Sequence, residues 1–343
     1  MTTKLTEKQK KMGMGIGAEY VAEIPLEESS LLSYPETHIA MITHNRPHVR
    51  NAILIPELKY WQQLFRQANA NRDVKAIILN ANGPDFASGD NLRQAPVENI
   101  GQRPDRRLGL VERLQQYYTM DGPGPATSNK ITIASVHGWC CGTAGLDLVL
   151  DSDLCIACEC AQFGAMESRL GMGGIVKPQM IFHIGLKRTR ELYLHGGALS
   201  AKKAMEWGLI NEVVPHDDEH KKLRERTMEW AKMVCLYPQD GLMTGRVTWV
   251  NILRILGIHA ADYYKTLGTV LFTGLLWRKD ESNLNFLKLR KDHGVTEAVK
   301  MRDEAWEKLG FYRTGVGEGP VYTAADDKKA RKRMPAWTAK KRD

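Results

Sequence analysis

Two carboxylates and a glycine-broken turn carry the chemistry this sequence offers. They lie in residues 134–177, ASVHGWCCGTAGLDLVLDSDLCIACECAQFGAMESRLGMGGIVK, where Gly142 and Gly145 interrupt the chain after a short apolar run. LDLVLDSD then reads as a helix start, so backbone N–H groups near Ala144 point out from its positive end. Such an end suits a developing anion. Asp147 falls in the first turn, and Glu167 follows 20 residues later, after a strand able to return the chain beside the same pocket. Two acids in different surroundings can divide proton donation from proton abstraction. Spacing alone also admits a plainer reading, with Asp147 as a first-turn acid on the helix dipole and Glu167 as a surface loop residue.

The elements that must position these groups follow from periodicity. HIAMITHN alternates as a strand and is closed by Arg46-Pro47. In IPELKYWQQLFRQANA, residues 55–70, apolar positions 58, 61, 64, 65 and 68 predict a helix, with Pro56 in its first turn. VKAIILNA and ITIASVHG read as buried parallel strands, and the polar loop NGPDFASGDNL leaves the end of the first of them. Strand, helix and parallel strand make a βαβ beginning. Residues 97–130 predict a helix and a surface connection. After the central stretch, helix, turn, helix and a short strand end at Pro215. Beyond it, segments near 218–236, 240–258, 259–276 and 295–309 are amphipathic helices. The predicted class is α/β with a helical C-terminal region. Residues 1–36 read as an N-terminal extension forming a hairpin or arm, 37–215 as the core, 216–310 as the helical region, and 311–343 as a basic, mobile tail.

Composition excludes several classes. With 43% hydrophobic and 26% charged residues the chain reads as an ordinary globular protein. No apolar run approaches the ~18 residues of a membrane span, and the polar, charged N-terminus lacks a signal-peptide core. A cytoplasmic location is expected. Of the six cysteines, 140, 141, 155, 158 and 160 crowd into the centre, unlike a disulfide framework. Cys155, Cys158 and Cys160 lie on an apolar run with no Cys or His at matching sequence distance, so they read as buried thiols, and no metal is expected. The net charge of +8 is concentrated at the end, where residues 326–343 hold eight Lys/Arg and three Asp. That reads as a solvated terminus, and nucleic-acid binding is not expected.

Six pieces in register resemble the crotonase, or enoyl-CoA hydratase/isomerase, superfamily over roughly residues 37–310. They are HNRPHVRNAI, FASGDNL, HGWCCGTAGLDLVLDSDLCIA, AQFGAMESRLGM, GLKRTRELYLHGGALSAKKAMEWGLINEVVP and the helical segments beyond. The resemblance implies a spiral of β–β–α turns, C-terminal helices at subunit contacts, and a homotrimer or dimer of trimers. It also implies an acyl-CoA substrate whose thioester oxygen sits in a hole of two backbone N–H groups, so that an enolate can form; coenzyme A enters with the substrate, and no separate cofactor is implied. By register the donors fall on Asp90 and Ala144, and the catalytic acids on Asp147 and Glu167. The turn after Gly138 is one residue longer than the family pattern, which leaves Thr143 as the alternative to Ala144. Asp147 stands where hydratases usually carry Glu.

The implied reaction is hydration of an α,β-unsaturated acyl-CoA, with Glu167 handling the α-carbon proton and Asp147 positioning water. Double-bond isomerases, hydratase-lyases and carbon–carbon hydrolases of the same fold are alternatives. Ile175 stands where the dienoyl isomerases have a third acid, which argues against that subtype. A non-catalytic nucleic-acid-binding relative is the alternative of another class. Coenzyme A is expected along the loop after the first strand and FASGDNL, with Arg46, Arg50, Ser88 and Lys288 as candidate contacts and Arg290 beside them. Tyr263, Tyr264 and Trp277 are candidates for an acyl pocket or for a core face. His44, His137 and His183 read as structural.

Overall fold

Runs of apolar β-branched residues at the predicted strands are buried on both faces, and that drives a parallel sheet covered by helices on each side. The computed structural model describes residues 24–53, 55–92, 124–142, 145–171, 177–258, 261, 285–319 and 322–333. One sheet has six strands, β1 (Ser30–Glu36), β2 (Ile39–His44), β3 (Ala76–Ala81), β4 (Ile131–Val136), β6 (Leu154–Cys158) and β9 (Glu212–Val214), adjacent in that order. All its pairs are parallel except β1 with β2. The other sheet has three strands, β5 (Trp139–Cys141), β7 (Gln162–Gly164) and β8 (Ala198–Ser200). Successive turns of chain place β4 then β5, and β6 then β7, so each turn gives one strand to each sheet: a β–β–α spiral.

Helix α1 (Ile55–Ala70) fills the face its periodicity predicted. Leu58, Trp61, Leu64, Phe65 and Ala68 are all buried against Ala40, Ile42, Ile77 and Leu79. The opposite face of the sheet, Ile39, Ile78, Ile133, Ile156 and Cys158, packs on Leu223, Ala231 and Val234 of α5 (Lys221–Cys235). Between them come α2 (Leu146–Asp151), α3 (Gln179–His195) and α4 (Ala201–Trp207); beyond come α6 (Gln239–Ile255), α7 (Phe286–His293), α8 (Val295–Glu307) and α9 (Ala324–Arg333).

Two expected boundaries move. Residues 30–36 belong to the core sheet, since Ser30 pairs with His44 and Glu36 with Ile39. This edge strand has one exposed side, so SLLSYPE lacks the apolar run that marked its neighbours. The expected mobile tail begins as packed chain: Val316 is fully buried, Ala198 exchanges backbone bonds with Arg313 and Val316, and Asp327 of α9 accepts from Thr314. The basic residues of 328–333 ride on a helix whose buried Asp327 ties it down. The helices predicted within 97–123 and 259–276 lie outside the described residues, apart from Ala261.

Candidate active site

The second sheet continues into the loop 86–92 through single bridges, Ala87 with Cys140 and Ile53 with Asp90. Ile53 donates to the Gly89 carbonyl and accepts from the Asn91 N–H. In a parallel bridge of this kind the middle residue's own N–H faces the other side, so the Asp90 N–H is turned away from Ile53. On that other side lies Gly142. A Cβ built on Gly142 would stand 3.0 Å from Gly89 Cα and 3.6 Å from Asp90 N, and Gly142 has φ +60. Only a residue without Cβ fits this approach comfortably. Gly145 is more constrained still, since its Cβ would meet Cys141 N at 2.5 Å. Gly142 thus lets the end of β5 approach the FASGDNL loop, while Gly145 lets the start of α2 fold back onto Cys141. Thr143 and Ala144, the candidates for the second donor, lie outside the described residues.

Asp147 stands in the first turn of α2, half-buried, with its N–H donating to the Gly142 carbonyl at 3.1 Å. Lys177 anchors the same helix by pairing with Asp151 and donating to the Asp147 carbonyl at 3.4 Å. Glu167 opens a short 3-10 turn, Glu167–Leu170, just past β7; it too is half-buried, and its Oε2 is shielded from solvent. β7 pairs with β5, so Glu167 comes beside Cys141. Burial first, and then the Glu167 charge, push the Cys141 thiol up to about 12. Burial likewise raises Cys140, which also feels Asp147. Neither thiol is ionised near neutrality, which removes both as nucleophiles. The Asp147 charge is thus felt at Cys140 and the Glu167 charge at Cys141, neighbours on β5.

Residues without a sequence signal hold this arrangement. Fully buried Asp85 accepts from the Trp139 N–H at 2.8 Å and from Arg50 at 2.6 and 3.0 Å, locking the loop to β5. Arg169, also sealed, donates to the carbonyls of His195, Phe311 and Tyr312 and pairs with Asp303. It clamps the Glu167 turn between α3, α8 and the C-terminal segment.

The candidate coenzyme A contacts separate into groups. Arg46 is 3% exposed and pairs with Glu57 at 2.8 Å, so it braces α1 and does not reach a solvent-borne phosphate. The side chain of Arg50 remains 47% exposed at the loop mouth despite its pair with Asp85. Ser88 is half-buried and donates its N–H to Arg50. Lys288 is exposed on the first turn of α7, and buried Arg290 on the same helix donates to the Leu92 carbonyl, tying α7 to the end of the loop. Tyr263, Tyr264 and Trp277 lie outside the described residues. His44 packs between Trp61 and Phe86, and burial holds His137 down to about 3, as structural histidines.

A β–β–α spiral of this kind defines the crotonase fold class. The model of the enoyl-CoA hydratase/isomerase family matches residues 35–237, and the chain belongs to that family. It is 30% identical over 200 residues to the mevalonyl-coenzyme A hydratase sidH of Aspergillus fumigatus, covering 56% of this chain and 69% of that one. It is 30% identical over 217 residues to the 1,2-epoxyphenylacetyl-CoA isomerase of Escherichia coli, covering 62% and 78%. An enoyl-CoA hydratase/isomerase of Xanthobacter autotrophicus Py2 superposes with TM-score 0.64 at 25% identity, over 81% of this chain and 98% of that one. No helix among the described residues is long and apolar enough to cross a membrane.

Proposed function

We propose that the protein hydrates an α,β-unsaturated acyl-CoA through a thioester enolate. The observation that supports this reading is the close approach of Gly142 to the FASGDNL loop, where a Cβ on Gly142 would stand 3.0 Å from Gly89 Cα and 3.6 Å from Asp90 N. The thioester oxygen accepts from the Asp90 N–H, and the family register gives the second donor as Ala144, with Thr143 as the alternative. Preorganised donors of this kind are worth about 3–4 kcal/mol each as negative charge develops on the oxygen. Asp147 orients the water that adds at the β-carbon. Glu167 delivers the proton to the α-carbon, and in the reverse direction removes it. Coenzyme A lies along the 86–92 loop, with the exposed side of Arg50, Ser88 and Lys288 near its phosphates. Trp249, Ile252 and Ile255 leave an apolar strip on α6 exposed, at 53%, 48% and 84%, which fits burial between subunits of a trimer.

The test is direct. Purified protein is mixed with a series of unsaturated acyl-CoAs, and the absorbance of the conjugated thioester is followed together with product mass. Loss of absorbance with gain of one water supports hydration. Conversion at unchanged mass would assign an isomerase, and no turnover of any thioester would overturn the reading.

A further inference from the structure

Cys158 ends β6 on the sheet face that packs against α5, and its register partner on β9 is Val214. Two residues past Val214 comes His216, whose Nδ1 lies 3.3 Å from Cys158 Sγ. Cys160 Sγ lies 3.1 Å from Cys158 Sγ. His220 then precedes α5 with φ 53 and ψ 32, a left-handed conformation that a histidine adopts at a cost. Ligand atoms of all four side chains fall within 4.8 Å of one another, and only His216 is less than fully buried. Among the described residues this is the one such cluster of four.

From this juxtaposition we propose that Cys158, Cys160, His216 and His220 form a structural zinc site, apart from the residues assigned to catalysis. Two thiolates and two imidazoles are the donor set of a four-coordinate structural zinc, and His-x3-His is a recurrent zinc spacing. The charges also favour it: two thiolates with a divalent cation are neutral overall, so the buried cluster carries no uncompensated charge. The sulfur separation lies between a disulfide, about 2.05 Å, and the roughly 3.8 Å between sulfurs on one tetrahedral zinc. His137 stacks on His220 at 4.2 Å and donates from Nε2 to the Gly83 carbonyl at 2.9 Å, which fixes the imidazole pair from behind. A cleft lined by Asn82, Pro84, His137, Asp218, His220 and Arg224 gives an entry route. Bound zinc would pin the 216–220 loop and the start of α5 to β6.

The test uses the full chain without a histidine tag, purified without chelator and dialysed against metal-free buffer. About one zinc per chain is expected by elemental mass spectrometry. Replacing it with Co2+ is expected to give the intense visible bands and thiolate charge-transfer absorption of a tetrahedral S2N2 centre. His216→Ala, at the half-exposed ligand, should lower zinc affinity by at least about tenfold, and Cys160→Ser should abolish the charge-transfer band. The proposal is overturned if folded wild-type protein neither retains zinc nor gives that band with added Co2+. It is also overturned if His216→Ala binds zinc as tightly as wild type, or if unfolded, metal-free protein shows two thiols fewer than the six cysteines, meaning a Cys158–Cys160 disulfide.

Discussion

Replacing Gly142 by alanine perturbs the junction of the two loops without replacing either acid. Its φ of +60 costs an alanine about 1–2 kcal/mol. The new Cβ at 3.0 Å from Gly89 Cα forces one backbone or the other to give by a few tenths of an ångström. Both loops carry a proposed donor, and losing one donor outright costs about 2.7–4 kcal/mol, or 10²–10³ in kcat. A partial displacement should therefore lower kcat by about tenfold to a hundredfold, with a Tm loss of only a few degrees. Steady-state rates on a good unsaturated acyl-CoA, beside a thermal melt, measure both. Gly245→Ala is the control, because Gly245 lies on α6 with open space around its Cβ position and should leave kcat unchanged. If Gly142→Ala lost the expected stability but kept wild-type kcat, the argument that these loops hold the thioester oxygen would be refuted.

Two further outcomes concern the frame. Arg169→Met strips the donor from three carbonyls and one partner from Asp303, and should cost about 3–5 kcal/mol in urea unfolding; Arg169→Lys, which keeps the charge without the fork, should fall between. Burial, and then the Arg169 charge, hold the His195 ring down to about 4, against about 6.5 in the unfolded chain. The unfolded chain thus binds the extra proton between these values, so stability is full above about pH 6.5 and declines as pH falls toward 4. Urea midpoints across that range should flatten in His195→Gln; an unchanged slope would remove His195 as the source.

The legible parts of this chain were those whose signal is local. α1 was readable because positions 58, 61, 64, 65 and 68 form one buried stripe, and the observed helix has the predicted bounds. The helix start after Gly145 was readable from the glycine break and the apolar run behind it. Other features depend on pairing between distant residues. Cys158 and Cys160 showed no partner because His216 and His220 arrive through the β6–β9 register, more than 50 residues downstream. Arg46 looked like a surface cation beside a proline turn until Glu57 on α1 claimed it. Asp85 is one acid among several in a polar loop, and only the approach of β5 and Arg50 shows that it holds that loop. The edge strand 30–36 was obscured because one side faces solvent.

The division of labour between the two acids is the centre of the account, and exchange of the α-proton tests it most directly. A saturated or 3-hydroxyacyl-CoA is incubated with enzyme in deuterium oxide, and deuterium at the α-carbon is followed by mass spectrometry or NMR. Wild type should exchange, Glu167→Gln should slow exchange by about 10²–10⁴, and Asp147→Asn should keep exchange while losing hydration. Full exchange in Glu167→Gln, or equal loss of both reactions in Asp147→Asn, would contradict the assignment.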